Sequence, residues 1–229
     1  MDNSVTEQQQ QEQLVQIVEQ ICEDILSGVF KASEKLTVAT LKKRYGTGHS
    51  PIREALSRIQ PEGLISKENQ RGYRVRAIDP DDLAEITKMK CWLEDIAIRE
   101  SIRLGGTDWE DSVVAALHRL NRTPDVTDSG SFQDEVFERH AEFHKALFSA
   151  CNSKWLLNYI ENLQRLTERY RRSSLNIDYS KHEPKEEHAA IANAAIAHDA
   201  DRASKLLMAH NHATHNMIAP LQKLRAARS

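Results

Sequence analysis

Ser50-Pro51-Ile52-Arg53-Glu54-Ala55-Leu56-Ser57-Arg58-Ile59-Gln60, followed by Pro61-Glu62-Gly63, is the stretch on which the fold turns. Ile52, Ala55, Leu56 and Ile59 recur at i, i+3, i+4 and i+7, the apolar stripe of one helix. Ser50 is expected to cap it, with Pro51 at the first helical position, where a missing N–H costs nothing. Pro61 and Gly63 close it. Arg53, Ser57 and Gln60 fall on another face. A helix this short is unstable by itself. Its stripe must lie on a small core while Arg53 and Ser57 face outward.

The neighbouring segments supply that core. Thr37–Tyr45 reads as a helix capped by Thr37, with Val38 and Leu41 inward and Lys42, Lys43 and Arg44 outward. Gly46-Thr47-Gly48 is a tight turn, so the order is helix, turn, helix. Upstream, Leu14, Ile17, Val18, Ile21 and Ile25 form a helical stripe that Gly28 ends. The Gln-rich residues 1–13 are expected to be a disordered tail. Downstream, 64–67 and 72–76 read as two strands of a hairpin whose basic tip carries Arg71 and Gly72. Three helices and this hairpin predict a winged helix-turn-helix over 14–78.

Pro80 pushes its predecessor out of helical geometry and marks a boundary. Beyond it the period is helical throughout, with helices expected over 83–104, 109–121, 132–150, 154–175, 185–198 and 200–219, where Pro220 ends or bends the last. Residues 79–229 therefore predict an antiparallel all-helical bundle, and the fold class is mostly α.

Charge separates the two parts. Residues 30–76 hold eleven Lys and Arg against four Asp and Glu, a balance of +7. The chain total is −3, so the remainder carries −10. A compact basic module on an acidic body points to a polyanion for the module alone, and with a helix-turn-helix pattern that polyanion is double-stranded DNA. No apolar run is long enough to span a membrane, and no apolar leader opens the chain. Cys22, Cys91 and Cys151 are scattered and odd in number, which fits neither a disulfide framework nor a thiolate metal site. A reducing cytoplasm is the expected compartment.

The parts and their order resemble the GntR family of bacterial transcription regulators. The resemblance rests on Gly28-Val29-Phe30 with Lys35-Leu36, on Ser50-Pro51-Ile52-Arg53-Glu54-Ala55-Leu56, on Glu62-Gly63-Leu64-Ile65 and on Arg71-Gly72-Tyr73-Arg74-Val75. The helical part resembles the FCD effector domain of the FadR branch, through Leu93-Glu94, Phe143-His144, Cys151-Asn152, Glu187-His188 and His210. It covers roughly residues 14–218. The resemblance implies a homodimer whose recognition helices enter successive major grooves of a palindromic operator. It places DNA contacts at His49, Ser50, Arg53 and Gly72. Arg53 is long enough for a bidentate guanine contact, and Ser50 at a helix start suits a phosphate. Lys42, Lys43, Ser57 and Arg71 complete the expected DNA face. Many relatives carry Arg where His49 and Ala39 stand here.

Nine of ten histidines lie beyond residue 117. His140 and His144, four apart, project from one helical face, and bundle helices can bring His188 and His210 to them. The resemblance implies a divalent metal held by an aspartate and three histidines. His144, His188 and His210 match the three, and His140 stands in the aspartate's place. Four imidazoles favour a borderline transition metal, Zn or Ni, over Mg or Ca. An open metal position suits a carboxylate of a small organic acid effector; Lys90 stands where relatives carry an arginine lining that site, and the helix arginines Arg165, Arg169 and Arg171 are candidate helpers that fit a solvated face equally well. His212 points off His210's face. His118, His182, His198 and His215 read as surface or packing residues.

The expected function is a DNA-binding regulator, a repressor modulated by that acid. Two alternatives are a metal-dependent hydrolase and a DNA-architectural protein without a ligand response. The hydrolase is disfavoured because Glu142 lies two residues after His140, on the opposite side of the helix from the histidine pair.

Overall fold

The computed structural model describes residues 2–68, 72–124, 134–173 and 184–226. The chain forms two compact units, residues 1–78 and 79–229.

The first unit contains α1 (Asp2–Leu26), β1 (Lys35–Leu36), α2 (Val38–Tyr45), α3 (His49–Ile59), β2 (Ile65–Glu68) and β3 (Gly72–Val75). α2 begins as expected, with Thr37 Oγ1 accepting from the Thr40 amide at 3.1 Å. It ends at Gly46, whose φ of 63° is left-handed and favours glycine. α3 starts earlier than its sequence suggests. Gly48 is the N-cap and His49 the first helical residue, so Ser50 is not the cap. Pro51 falls at the third helical position, still among the first-turn N–H groups that have no helical partner. The stripe of Ile52, Ala55, Leu56 and Ile59 is fully buried against Ile21, Ile25 and Leu41. A 3-10 turn, Gln60–Glu62, then closes the helix.

The wing is a three-stranded antiparallel sheet in the order β1-β3-β2. Leu36 opposes Tyr73, and Glu68 opposes Gly72. β1 has only two residues, too short for any periodicity to announce it. α1 extends back to Asp2 across the stretch expected to be a disordered tail. Gln and Glu are good helix formers, and the helix already packed through Leu14 can propagate over them.

The second unit is α4 (Pro80–Leu104), α5 (Thr107–Arg122), α6 (Asp134–Phe148), α7 (Lys154–Arg172), α8 (Pro184–Ile196) and α9 (Ala200–Ala226). Asp79 caps α4, accepting from the Asp81 amide at 2.9 Å. α4 is the central helix and packs on α7 and α9; α5 lies on α6, and α8 on α9. Phe143, Leu147, Phe148, Ile98, Val113 and Leu207 fill the core. Trp109 at the start of α5 donates through Nε1 to the Ala146 carbonyl at 3.0 Å, tying α5 to α6. α9 continues past Pro220 rather than stopping there. All three cysteines are buried, and none of them is in a disulfide. No described helix is long and apolar enough to cross a membrane.

Candidate metal centre and nucleic-acid interface

In the first unit, burial of one face of α3 dictates what the other face presents. His49, Ser50, Arg53, Ser57 and Gln60 are exposed. The basic residues divide by their partners. Arg44 makes a bidentate pair with Asp24, at 2.6 and 2.9 Å. Arg58 pairs with Glu54 at 2.8 Å, and Arg74 with Glu68 at 2.6 Å. The side chains of Arg53, Lys42 and Lys43 have no hydrogen bond or ion pair among the described residues. Their charges are available to something outside the module. Gly72 at the wing has φ of 94°, a conformation that side chains rarely adopt, so the turn itself favours glycine there. Arg71 lies outside the described residues.

In the second unit, α6 carries His140 and His144 one turn apart, α8 brings His188, and α9 brings His210. Each ring offers a nitrogen, and these atoms lie within 4.8 Å of one another. Ring centroids are 4.5 Å apart for His140–His144, 5.0 Å for His140–His188 and 4.6 Å for His188–His210. His144, His188 and His210 are nearly inaccessible, and Phe143 packs edge-on against His188 at 5.1 Å.

This environment favours the neutral form of His140, His144 and His210. Burial pushes His140 and His144 well below the usual imidazole range, and the Arg171 and Lys90 charges add to it. Burial also lowers His210, although Glu187 pulls the other way. A neutral imidazole keeps a lone pair for a metal.

The hydrogen bonds assign the protons. His210 Nδ1 lies 2.8 Å from Glu187 Oε2, so Nδ1–H donates to the carboxylate and the Nε2 lone pair is free. Arg171 Nη1 lies 3.3 Å from His140 Nδ1. A guanidinium only donates, so Nδ1 accepts and His140 carries its proton on Nε2. That proton points to His144 Nε2 at 3.2 Å. His144 Nδ1 is then left buried with no partner among the described residues. A metal would replace the His140–His144 hydrogen bond, and for His140 to coordinate through Nε2 its proton must move to Nδ1 and the donation from Arg171 must be given up. Nitrogens bonded at about 2.0–2.1 Å to one ion stand roughly 3 Å apart, close to the His140–His144 separation.

Beside the cluster lies a second buried group. Lys90 Nζ is 3.1 Å from Glu94 Oε1. It also donates to Asn211 Oδ1 at 2.5 Å, and Asn211 Nδ2 donates to Glu94 Oε2 at 2.7 Å. Glu94 is completely buried.

Comparison with known proteins agrees with both halves. Residues 13–75 match the model of the bacterial regulatory proteins of the gntR family, and residues 85–213 match the FCD domain. The chain belongs to the GntR family. Among GntR relatives, the HTH-type transcriptional repressor GlaR of Escherichia coli K12 is 35% identical over 82% of this chain and 87% of its own. BphR of Paraburkholderia xenovorans LB400, an HTH-type transcriptional regulator, is 32% identical over 88% of this chain and 83% of its own. The solved E. coli McbR/YncC structure shares the fold, with a TM-score of 0.74 at 18% identity over 93% of this chain and 98% of its own. The chain is thus a DNA-binding transcriptional regulator of the GntR type and not an enzyme.

The four histidines expected together are together. Lys90 is not a surface lysine but a buried one, paired with Glu94. His198 is an exposed surface residue, one of the two roles read for it. It joins the Glu110 carboxylate at 2.8 Å and the Ile102 carbonyl at 3.1 Å. His182 lies outside the described residues. The sequence reading missed Glu187 and Asn211 as parts of the site. Each is the chain neighbour of a cluster histidine; for Asn211 that adjacency was the signal, and Glu187 also stands in the Glu187-His188 pair that carries the resemblance.

Proposed function

We propose that this GntR-family regulator acts as a homodimeric repressor of a palindromic operator. His49, Ser50, Arg53 and Ser57 would meet the major groove. Lys42, Lys43, Arg71 and Gly72 would meet the backbone, and the response would be to a small carboxylate at the histidine cluster. The observation that carries the DNA part is the unpaired, exposed Arg53 on a helix whose other face is wholly buried. The relative described as a repressor supports the direction of control.

His140, His144, His188 and His210 would hold a divalent transition metal, Zn or Ni. Bound there, the ion would supply a Lewis-acidic position for a carboxylate oxygen. Glu187 fixes the His210 tautomer, and Lys90 lies close enough to help keep His144 and His210 neutral. The ligand would act by population shift, favouring one bundle arrangement and with it one spacing of the two DNA-binding modules.

A two-fold operator needs a two-fold protein. α4 exposes Met89, Trp92 and Ile96, and its packing neighbour α7 exposes Trp155, at 67%, and Tyr159. Such apolar exposure suits a self-complementary face.

Gel-shift against operators selected from random sequence tests the DNA reading. Salt-sensitive, sequence-specific retention is expected, and Arg53→Ala should weaken it by about 1–3 kcal/mol. An unchanged specificity ratio would remove Arg53 as a base reader. Metal analysis of the purified protein tests the centre, with His144→Ala and His188→Ala expected to lose the ion. Trp155→Asp should raise the dimer dissociation constant in sedimentation, and an unaltered dimer would place the interface elsewhere.

A further inference from the structure

Two cations border the histidine cluster, and they differ in what already occupies them. Lys90 faces Glu94 at 3.1 Å and Asn211 at 2.5 Å, so a buried carboxylate neutralises it and side-chain oxygens surround its ammonium. Arg171 is equally enclosed, its side chain 11% exposed, but poorly satisfied. Its one hydrogen bond within the described residues is the donation from Nη1 to His140 Nδ1, at 3.3 Å. Its Nε–H is buried with no acceptor among the described residues. The nearest carboxylate, Glu168, stands 3.7 Å away, beyond hydrogen-bond distance, and that carboxylate is already engaged by Arg172 at 3.0 Å. The Phe137 ring lies 5.5 Å from the Arg171 guanidinium carbon and limits where the group can turn.

We propose that Arg171, not Lys90, is the cation that receives the carboxylate of a small organic acid at the histidine cluster. This rests on the reading of the cluster as the ligand site and names the residue that binds there.

The chemistry follows from the donor inventory. A guanidinium has five N–H groups in a planar fork that matches a carboxylate with two parallel bonds. Arg171 has most of them unspent, in a place largely closed to water. Arg171 has no hydrogen-bonded carboxylate among the described residues, whereas Lys90 has Glu94. The less compensated of the two cations is therefore Arg171. A carboxylate there satisfies the orphaned Nε–H and cancels that charge. At Lys90 the same anion would have to displace Glu94 or Asn211.

The test uses the full-length protein, nitrogen-15 labelled, with acetate as the probe, with and without one equivalent of Zn2+. The arginine Nε–Hε resonance missing from the Arg171→Lys variant belongs to Arg171. On addition of acetate this resonance should move saturably. The acetate affinity, read from backbone amides of α6, should fall about 10- to 100-fold in Arg171→Gln, the effect of losing a charge-assisted pair of hydrogen bonds. It should stay within about threefold of the parent in Lys90→Met/Glu94→Leu, which removes the lysine without stranding its partner. If amides around the cluster shift while the Arg171 resonance stays fixed, the proposal is overturned and the cluster remains a ligand site. If the double variant loses acetate while Arg171→Gln keeps it, Lys90 is the anion contact. If nothing moves, both readings fall. If no Zn2+ is taken up and acetate still moves Arg171, the metal assignment falls and the proposal stands.

Discussion

Replacing Lys90 by Met separates a structural lysine from a ligand-binding one. The Lys90 side chain is 10% exposed and the Glu94 side chain 0%, so the substitution strands a carboxylate that water cannot reach. Breaking a buried ion pair from one side costs about 3–5 kcal/mol, because the remaining charge keeps its desolvation penalty and loses its partner. Asn211 Nδ2, still donating to Glu94 at 2.7 Å, offsets only a small part of that. For a unit of this size each kcal/mol lowers Tm by roughly 2–4 °C, so a fall of about 6–20 °C is expected. The companion variant Lys90→Met/Glu94→Leu removes both charges and leaves only the Asn211 amide short of a partner, a cost of about 1–3 kcal/mol. It should therefore regain at least part of the loss. Thermal unfolding of the three proteins followed by circular dichroism at 222 nm, at fixed protein and metal concentration, reads the cycle. A single variant within about 1 kcal/mol of the parent, or a double variant no better than the single, would refute the account of Lys90 as half of a buried pair.

Three further outcomes are expected. A Cβ at Gly105 would stand 2.3 Å from Trp109 Cε3 and 2.6 Å from the Ser101 carbonyl, whereas one at Gly106 meets nothing within 4 Å. Gly105→Ala should thus cost about 2–4 kcal/mol, combining overpacking with strain on the Trp109–Ala146 hydrogen bond, and Gly106→Ala under about 1 kcal/mol in urea unfolding. In chelator-treated protein, burial first and nearby cations second hold His140 and His144 below their usual 6.5. The unfolded chain therefore binds protons that the folded one refuses. Stability is full above that value and lost as pH falls below it, so Tm should drop between pH 7.5 and 5.5 and His144→Gln should flatten the drop. Lys42→Gln and Lys43→Gln should each reduce the slope of log affinity against log salt by about 1, across specific and random DNA alike.

The legible parts of this molecule were those written in local periodicity. Ile52, Ala55, Leu56 and Ile59 announce the buried face of α3, and Thr37 and Gly46 bound α2 through caps that depend on the residues alone. What depends on distant partners was not legible. Nothing in Lys35-Leu36 announces a strand, because its pairing with Tyr73 and Arg74 is supplied from elsewhere in the chain. The start of α3 moved to His49 because glycine at position 48 already has the extended geometry that a cap needs. His140 and His144 could be joined from spacing, but placing His188 and His210 beside them required the helical packing of the second unit. Lys90 could be placed near the cluster from the resemblance, but its enclosure by Glu94, four residues on, and by Asn211, from α9, could not. Arg171 was one helix arginine among several, and only its unsatisfied Nε–H sets it apart.

His210 and Asn211 are adjacent on α9, yet they belong to different polar groups. One completes the imidazole cluster; the other grips Lys90 and Glu94 of α4. α9 is thus geared to α4 at the very turn where a ligand would act, through side chains buried too deeply to slip. From Glu94 back to Pro80, α4 is an unbroken strut of about 21 Å at 1.5 Å per residue. An α-helix resists compression, so a displacement of Glu94 along the α4 axis is carried to Pro80, the residue that opens the bundle. The gearing requires no hinge and no melting between the cluster and Pro80.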